Sequence, residues 1–230
     1  MRTALAQTCM NRLVTPELLD DDLGTPTEIA DTLRDLRNIN QWFGGTRTTI
    51  GLLRQVAGKC RTTGLSLLEI GAGQGDVPLL ARNSLAKSGI SLHVTLLDRL
   101  WNHLPHNGTP SVVADAVHLP FRDESFDVIA SSLFAHHLAP DSLAIMMSEA
   151  LRVCRRAVII NDLIRSRMHL LLVYLGLPLF RSPITWHDAP ASVRASYTLD
   201  EMQSLVSSVE ARRVELSRHF LFRMGAVLWK

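Results

Sequence analysis

What the chain lacks narrows its class before any motif is read. Its 230 residues include three cysteines, Cys9, Cys60 and Cys154, with no CxxC pair among them. That usage excludes a disulfide framework and a thiolate zinc site, and it is the usage expected of a reducing cytoplasm. Long apolar runs are also missing. The longest, "LLLVYLGLPLF" at 170–180, falls short of the roughly 20 residues that span a bilayer and is broken by Gly176 and Pro178. The opening "MRTALAQTCMNRL" has no apolar core of the kind a secretory signal needs. Neither sign of charge dominates, with 24 Lys and Arg against 22 Asp and Glu. No long basic block and little aromatic interleaving are present, so no nucleic-acid signature emerges.

What is there reads as one α/β domain. Hydrophobic residues make up 47% of the chain and charged ones 20%, a globular balance in a length that suits a single domain with decorations. From Leu65 onward, short β-type runs ("LSLLEI", "LHVTLLD", "SVVAD", "FDVIASS", "AVIIND") alternate with helical patterns. This alternation predicts a parallel sheet with helices on both faces. Helices are expected over 26–39, with Thr25 or Thr27 as cap, and over 46–56. Thr198 and Glu201 have capping-box spacing ahead of another helix. "ARRVEL" and "HFLFRMGAVLW" then read as two strands that close the sheet antiparallel. The expected division is a helical cover over 1–64, a ligand-binding core over 65–162, a lid over 163–197 and a closing helix and strands over 198–230. Cover and lid fall where open α/β sheets bind ligands, at the carboxyl ends of the strands.

The stretch "LLEIGAGQGD" at 67–76 carries the first chemical signal. Glycines between a strand and a helix let the backbone turn sharply and approach a ligand, while the helix start offers free N–H groups. A dinucleotide fingerprint after Gly71 and Gly73 requires glycine at 76, where this chain has Asp76; its third glycine is Gly75. Glu69, just before the loop, repels a pyrophosphate and suits a ligand with a positive amino group. Asp98 ends the second strand where an acid can accept from both ribose hydroxyls. Asp115 follows the third, where its carboxylate can accept from an adenine amino group while the Ala116 N–H faces a ring nitrogen. Singly, each acid could instead be a solvated turn or helix cap.

This ordered set resembles class I S-adenosylmethionine (SAM)-dependent methyltransferases over about residues 65–162. The residues that carry it are "LLEIGAGQGD", "LLDRL", "ADAVHLPFRDESFDVI" and "LRVCRRAVIIND". The resemblance implies a Rossmann-like sheet of seven mostly parallel strands with an antiparallel last strand. It also implies that Glu69, Gly71, Gly73 and Gly75 surround the methionine part of SAM, that Asp98 with Arg99 serves the ribose, and that Asp115 and Ala116 flank the adenine. S-adenosylhomocysteine (SAH) is then the product. The chain is most similar to the type 11-like branch of small-molecule and quinone-biosynthesis enzymes. By analogy Arg37, Asn40 and Trp42 to Gly45 close the SAM site; the same segment also reads as a helix with a glycine cap.

The acceptor is expected to be small and fairly apolar, methylated at a phenolic oxygen or a quinone- or polyketide-type ring carbon. Candidate bases are His136 and His137 in "SLFAHHLAP" and His187 beside Asp188 in "TWHDAP". Arg194 and Tyr197 could grip a polar substrate group, or be solvated and staple the following helix. No metal is expected, since no HExxH occurs and His136 and His137 are adjacent. The apolar run at 170–180, flanked by Arg165, Arg167 and Arg181, fits a buried lid helix, an interfacial segment touching a membrane surface, or a core or dimer helix. Competing readings are a SAM-binding subunit or regulator without catalysis and a nicotinamide-dependent oxidoreductase, the latter opposed by Asp76 and Asp115. Monomer and homodimer both remain open.

Overall fold

A computed structural model describes residues 10–230. Cys9 and most of the opening segment read above for a signal lie outside the described residues. Each expected apolar run becomes a strand: β1 (Gly64–Ile70), β2 (Ser91–Asp98), β3 (Ser111–Val113), β4 (Phe126–Ser132), β5 (Cys154–Leu163), β6 (Arg213–His219) and β7 (Arg223–Trp229). They form one sheet in the order β3-β2-β1-β4-β5-β7-β6. Strands β1 to β5 pair in parallel, and β7 runs antiparallel to both β5 and β6. The closing pair is antiparallel as expected, with β7 inside and β6 outermost.

Alternation along the strands sends side chains to two cores. Leu65 and Leu67 of β1 face α2 (Gly45–Lys59) and α3 (Asp76–Ala86), whereas Leu68 and Ile70 face α4 (Pro140–Val153) and α7 (Leu199–Val206). All four leucine and isoleucine side chains are buried, each contributing about 1.5–3 kcal/mol. Helix α1 (Pro26–Trp42) begins at the Thr25 cap, where the Thr25 hydroxyl accepts from the Glu28 N–H and the Glu28 carboxylate accepts from the Thr25 N–H. It continues three residues beyond the predicted end, up to Phe43. The Thr198–Glu201 capping box forms as its spacing implied.

Three helices and a strap sit over the carboxyl ends of the parallel strands. Helix α1 packs on α2 and on α6 (Pro183–Ala195), and α5 (Arg167–Gly176) packs on α6. The strap, residues 10–23, crosses the same face. Arg12 donates to the carbonyls of Ala195 (2.6 Å), His136 and Leu138 (both 2.9 Å), and the Arg165 Nε donates to the Met10 carbonyl at 2.7 Å. The apolar run departs from a buried lid helix. In α5 only His169 is buried, while Leu171, Leu175 and nearby Leu179 are at least half exposed, because the helix lies at the rim with one face inward. Among the described residues, no helix is long and apolar enough to cross a membrane.

Candidate active site

One cavity of about 1220 Å³ lies between the strand ends and the cover. That exceeds the roughly 300–1,000 Å³ of an ordinary small-ligand pocket and leaves room for two molecules. Its two ends differ in chemistry.

The glycine loop builds the first end. Gly71 has φ +64, and a Cβ there would run into the Phe134 ring, so neither the backbone nor the packing accepts a side chain. At Gly73 a Cβ would meet nothing within 4 Å, leaving an open cradle against the backbone. The Gly73 N–H donates to Asp98 Oδ2 at 2.9 Å and the Leu100 N–H to Asp98 Oδ1 at 3.1 Å, which fixes the β2 carboxylate at the cavity wall. Asp115 is anchored by the Val117 N–H at 3.0 Å, with Ala116 buried beside it. Glu69 is 1% exposed, and neither carboxylate oxygen has a hydrogen-bond partner that meets good geometry. Burial pushes its pKa up to about 7, opposed by the nearby Ser132. An orphaned buried carboxylate beside an open glycine cradle fits a ligand with a cationic amino group and a nucleoside, as SAM has.

Arg37 donates to Asp76 Oδ1 at 2.9 Å and so ties α1 to the start of α3 over this end. Arg99 lines the cavity next to Asp98. Two cofactor candidates lie off the lining: Gly75 caps α3 with Leu96 against it, and Trp42 is 57% exposed while Phe43 points inward instead.

The second end holds the histidine pair. A 3-10 turn after β4 (Ala135–His137) presents both rings to the cavity. Nδ1 of His136 is 2.7 Å from Asp162 Oδ1, and its Nε2 is 3.6 Å from Glu17 Oε1. Burial alone would depress the His136 imidazolium; the Asp162 charge, aided by Glu17, outweighs it and raises the pKa to about 10. His137 stacks on Phe134, with Nδ1 2.8 Å from Asp20 Oδ2 and Nε2 3.9 Å from Glu17 Oε2. Burial also opposes ionisation of Glu17 and Asp20, yet the histidines hold both below the usual carboxylate range. Ligand atoms of Glu17, His136 and His137 all lie within 4.8 Å of one another, a spacing that a divalent cation can bridge. Glu17 and Asp20 come from the strap. In the sequence they were only part of an acidic stretch, and the run "PELLDDD" was their sole signal.

The lid candidates are placed differently from a substrate grip. His187 lies on α6 outside the cavity lining, its Nδ1 2.8 Å from Asp188 Oδ1. Asp188 also accepts from the strap N–H groups of Leu18 and Leu19. Arg194 donates to the Tyr174 hydroxyl at 2.6 Å, and the buried Tyr197 donates to the Leu138 carbonyl at 2.6 Å beneath Arg12. Neither lines the cavity. Ser192 and Val193 of α6 do so instead.

Comparison with known proteins agrees with this geometry. Residues 68–160 match the family described as "Methyltransferase domain". No curated protein matches the chain. Among solved structures, it is similar to the plantazolicin methyltransferase BpumL bound to a monoazolic desmethylPZN analog and SAH, at 15% identity and TM-score 0.67, covering 93% of this chain and 94% of that one. Human N-acetylserotonin methyltransferase in complex with SAM gives 11% identity and TM-score 0.60, covering 86% and 55%. A methyltransferase from an antibiotic biosynthesis pathway of Anabaena variabilis gives 20% identity and TM-score 0.50, covering 73% and 64%. The sheet order is that of the class I methyltransferase fold, and the core over residues 68–160 is similar to the methyltransferase domain.

Proposed function

We propose that the protein methylates a small, mostly apolar acceptor at a phenolic oxygen, or at the ring carbon that the phenolate activates. The observation that carries this reading is the Asp20–His137 pair at the histidine end of the cavity, 2.8 Å apart. Asp20 on Nδ1 holds the imidazole so that Nε2, 3.9 Å from Glu17 Oε2, takes the acceptor's hydroxyl proton. Phe134 stacks on the ring and limits its rotation. His136, paired with Asp162, is protonated at neutral pH and serves as a fixed donor near the acceptor oxygen.

At the other end, Glu69 would receive the amino group of SAM, Asp98 its ribose hydroxyls, and Asp115 with Ala116 its adenine. The cofactor supplies the electrophilic methyl group when bound. The chain's own work is to hold the acceptor in line, remove its proton and exclude water beneath the strap and lid. BpumL and the human N-acetylserotonin enzyme support a small-molecule acceptor, since each shares this fold and is named for one.

The test is a panel of phenols and hydroxyquinones incubated with SAM, with SAH formation as the readout. Turnover of a panel member that falls sharply in His137→Ala supports the reading. No accepted phenol, or an equally active His137→Ala, would sink it.

A second reading has one observation in its favour: both imidazoles tie Nδ1 to a carboxylate and turn Nε2 toward Glu17, the arrangement of metal-binding histidines. A divalent cation there would displace the His136 proton. Activity lost on dialysis against a chelator and restored by added Zn²⁺ or Mg²⁺ selects this reading; unchanged activity selects the base.

A further inference from the structure

Arg223, the first residue of β7, lies in the cavity wall with 1% of its surface exposed. One guanidinium nitrogen, Nη2, makes a long 3.4 Å contact to Asn40 Oδ1, and neither Nε nor Nη1 has a partner. A buried cation in this state weakens the fold, because the lost hydration of its N–H groups is not replaced. Its use therefore lies in what it binds.

The surroundings sharpen the chemistry. Asp162, on the neighbouring strand, is bonded to His136 and to the backbone N–H groups of His136 and Leu163. His169 on α5 stacks on Phe222 and donates its Nδ1–H to the Ile164 carbonyl; burial pushes its pKa down to about 4, so it adds no charge. Leu221 and Phe222 precede Arg223 with φ +51 and +57, bulky residues held in a left-handed turn at the cavity wall. Strain of this kind persists where the surroundings impose it, and functional sites are where it concentrates.

We propose that Arg223, with Asn40 beside it, is the receptor for a carboxylate on the methyl acceptor, so that the substrate class is an aromatic or apolar carboxylic acid. This rests on the proposed reading of the cavity as a site for cofactor and acceptor together. Two bound molecules could bring a carboxylate, the acceptor and the methionine tail of SAM. Position favours the acceptor: β4 and β5 separate β7 from β1, which carries Glu69, and Arg223 stands beside Leu163, Phe222 and the α5 lid. The planar guanidinium can meet a carboxylate with two parallel hydrogen bonds.

The test is calorimetric titration of the full chain with SAH, and then with 1-hydroxy-2-naphthoate and 1-naphthol as a matched pair. The wild type should bind the naphthoate about tenfold or more tightly than the naphthol. Arg223→Met should erase that preference and leave SAH affinity unchanged, while Arg223→Lys keeps a reduced preference. Equal binding of the pair by the wild type overturns the inference, and so does a preference that survives in Arg223→Met. A fall in SAH affinity in Arg223→Met overturns it in favour of the cofactor's carboxylate. Absence of SAH binding by the wild type would instead defeat the cofactor reading, and the naphthoate preference would still judge Arg223.

Discussion

His136 and Asp162 form a fully buried pair, ring nitrogen to carboxylate at 2.7 Å, at the junction of the sheet and the cavity. The folded pKa of His136 is raised to about 10, so its contribution to stability is complete below the ordinary histidine value of about 6.5 and is lost as pH rises through about 10. Asp162 is shifted down, so its share is lost on acidification below the usual aspartate range. Asp162→Asn should therefore cost about 3–5 kcal/mol at pH 7, and distinctly less above pH 10. Denaturant titrations at the two pH values measure this; an equal loss at both contradicts the pairing.

Removal of the proposed base should act on turnover and spare the cofactor. His137→Ala is expected to lower kcat by about 10²–10⁴-fold. Asp20→Asn should lower it less, because the imidazole remains but loses its orientation. Both variants should bind SAH as the wild type does, and calorimetry beside single-turnover rates checks the separation.

Glu69 makes cofactor affinity depend on pH. Its carboxyl titrates near 7 when the cavity holds no cation, so its ionised form becomes available as pH rises through that value. SAM affinity should strengthen between about pH 6 and 8, with proton release on binding. Glu69→Gln should weaken binding by about 10- to 100-fold, a charged hydrogen bond lost, and flatten the pH dependence. Affinity measured across that range in both proteins decides the matter; a flat wild-type profile would count against Glu69 as the ammonium partner.

Gly71→Ala tests the loop. The added methyl meets the Phe134 ring and the backbone is left-handed, so overpacking of about 1–3 kcal/mol adds to about 1–2 kcal/mol of conformational cost. A lower melting temperature with loss of SAH binding is expected. The same change at Gly73 (φ +49) meets no neighbouring atom, so it should carry only the conformational cost of about 1–2 kcal/mol and lose less stability than Gly71→Ala.

Much of this was legible along the chain because it is local. Strands declared themselves by short apolar runs, the caps at Thr25 and Thr198 by spacing, and the acids at 69, 98 and 115 by their place after successive strands. The unread part depends on contacts between distant segments. Glu17 and Asp20 reach the histidines from about 120 positions away, a pairing that no period or motif encodes. Arg223 looked like an ordinary strand residue until the sheet order placed its guanidinium in the cavity wall. Tyr197 and Arg194, polar residues of the lid segment, suit either a substrate grip or a solvated residue and a helix staple, and the sequence alone leaves both open. In the fold Tyr197 donates to Leu138 beneath Arg12, and Arg194 donates to Tyr174.

The strap joins the two ends of the cavity. It brings Glu17 and Asp20 to the histidine end, and Asp22 to His103, whose other ring nitrogen is 3.8 Å from Asp98. One short segment thus spans both ligand positions. Its Asp22 end rests on Asn102 and His103, both of which line the cavity beside Asp98. A ligand seated against Asp98 is expected to steady this end of the strap, and slower hydrogen exchange at residues 10–23 on adding SAH would register it.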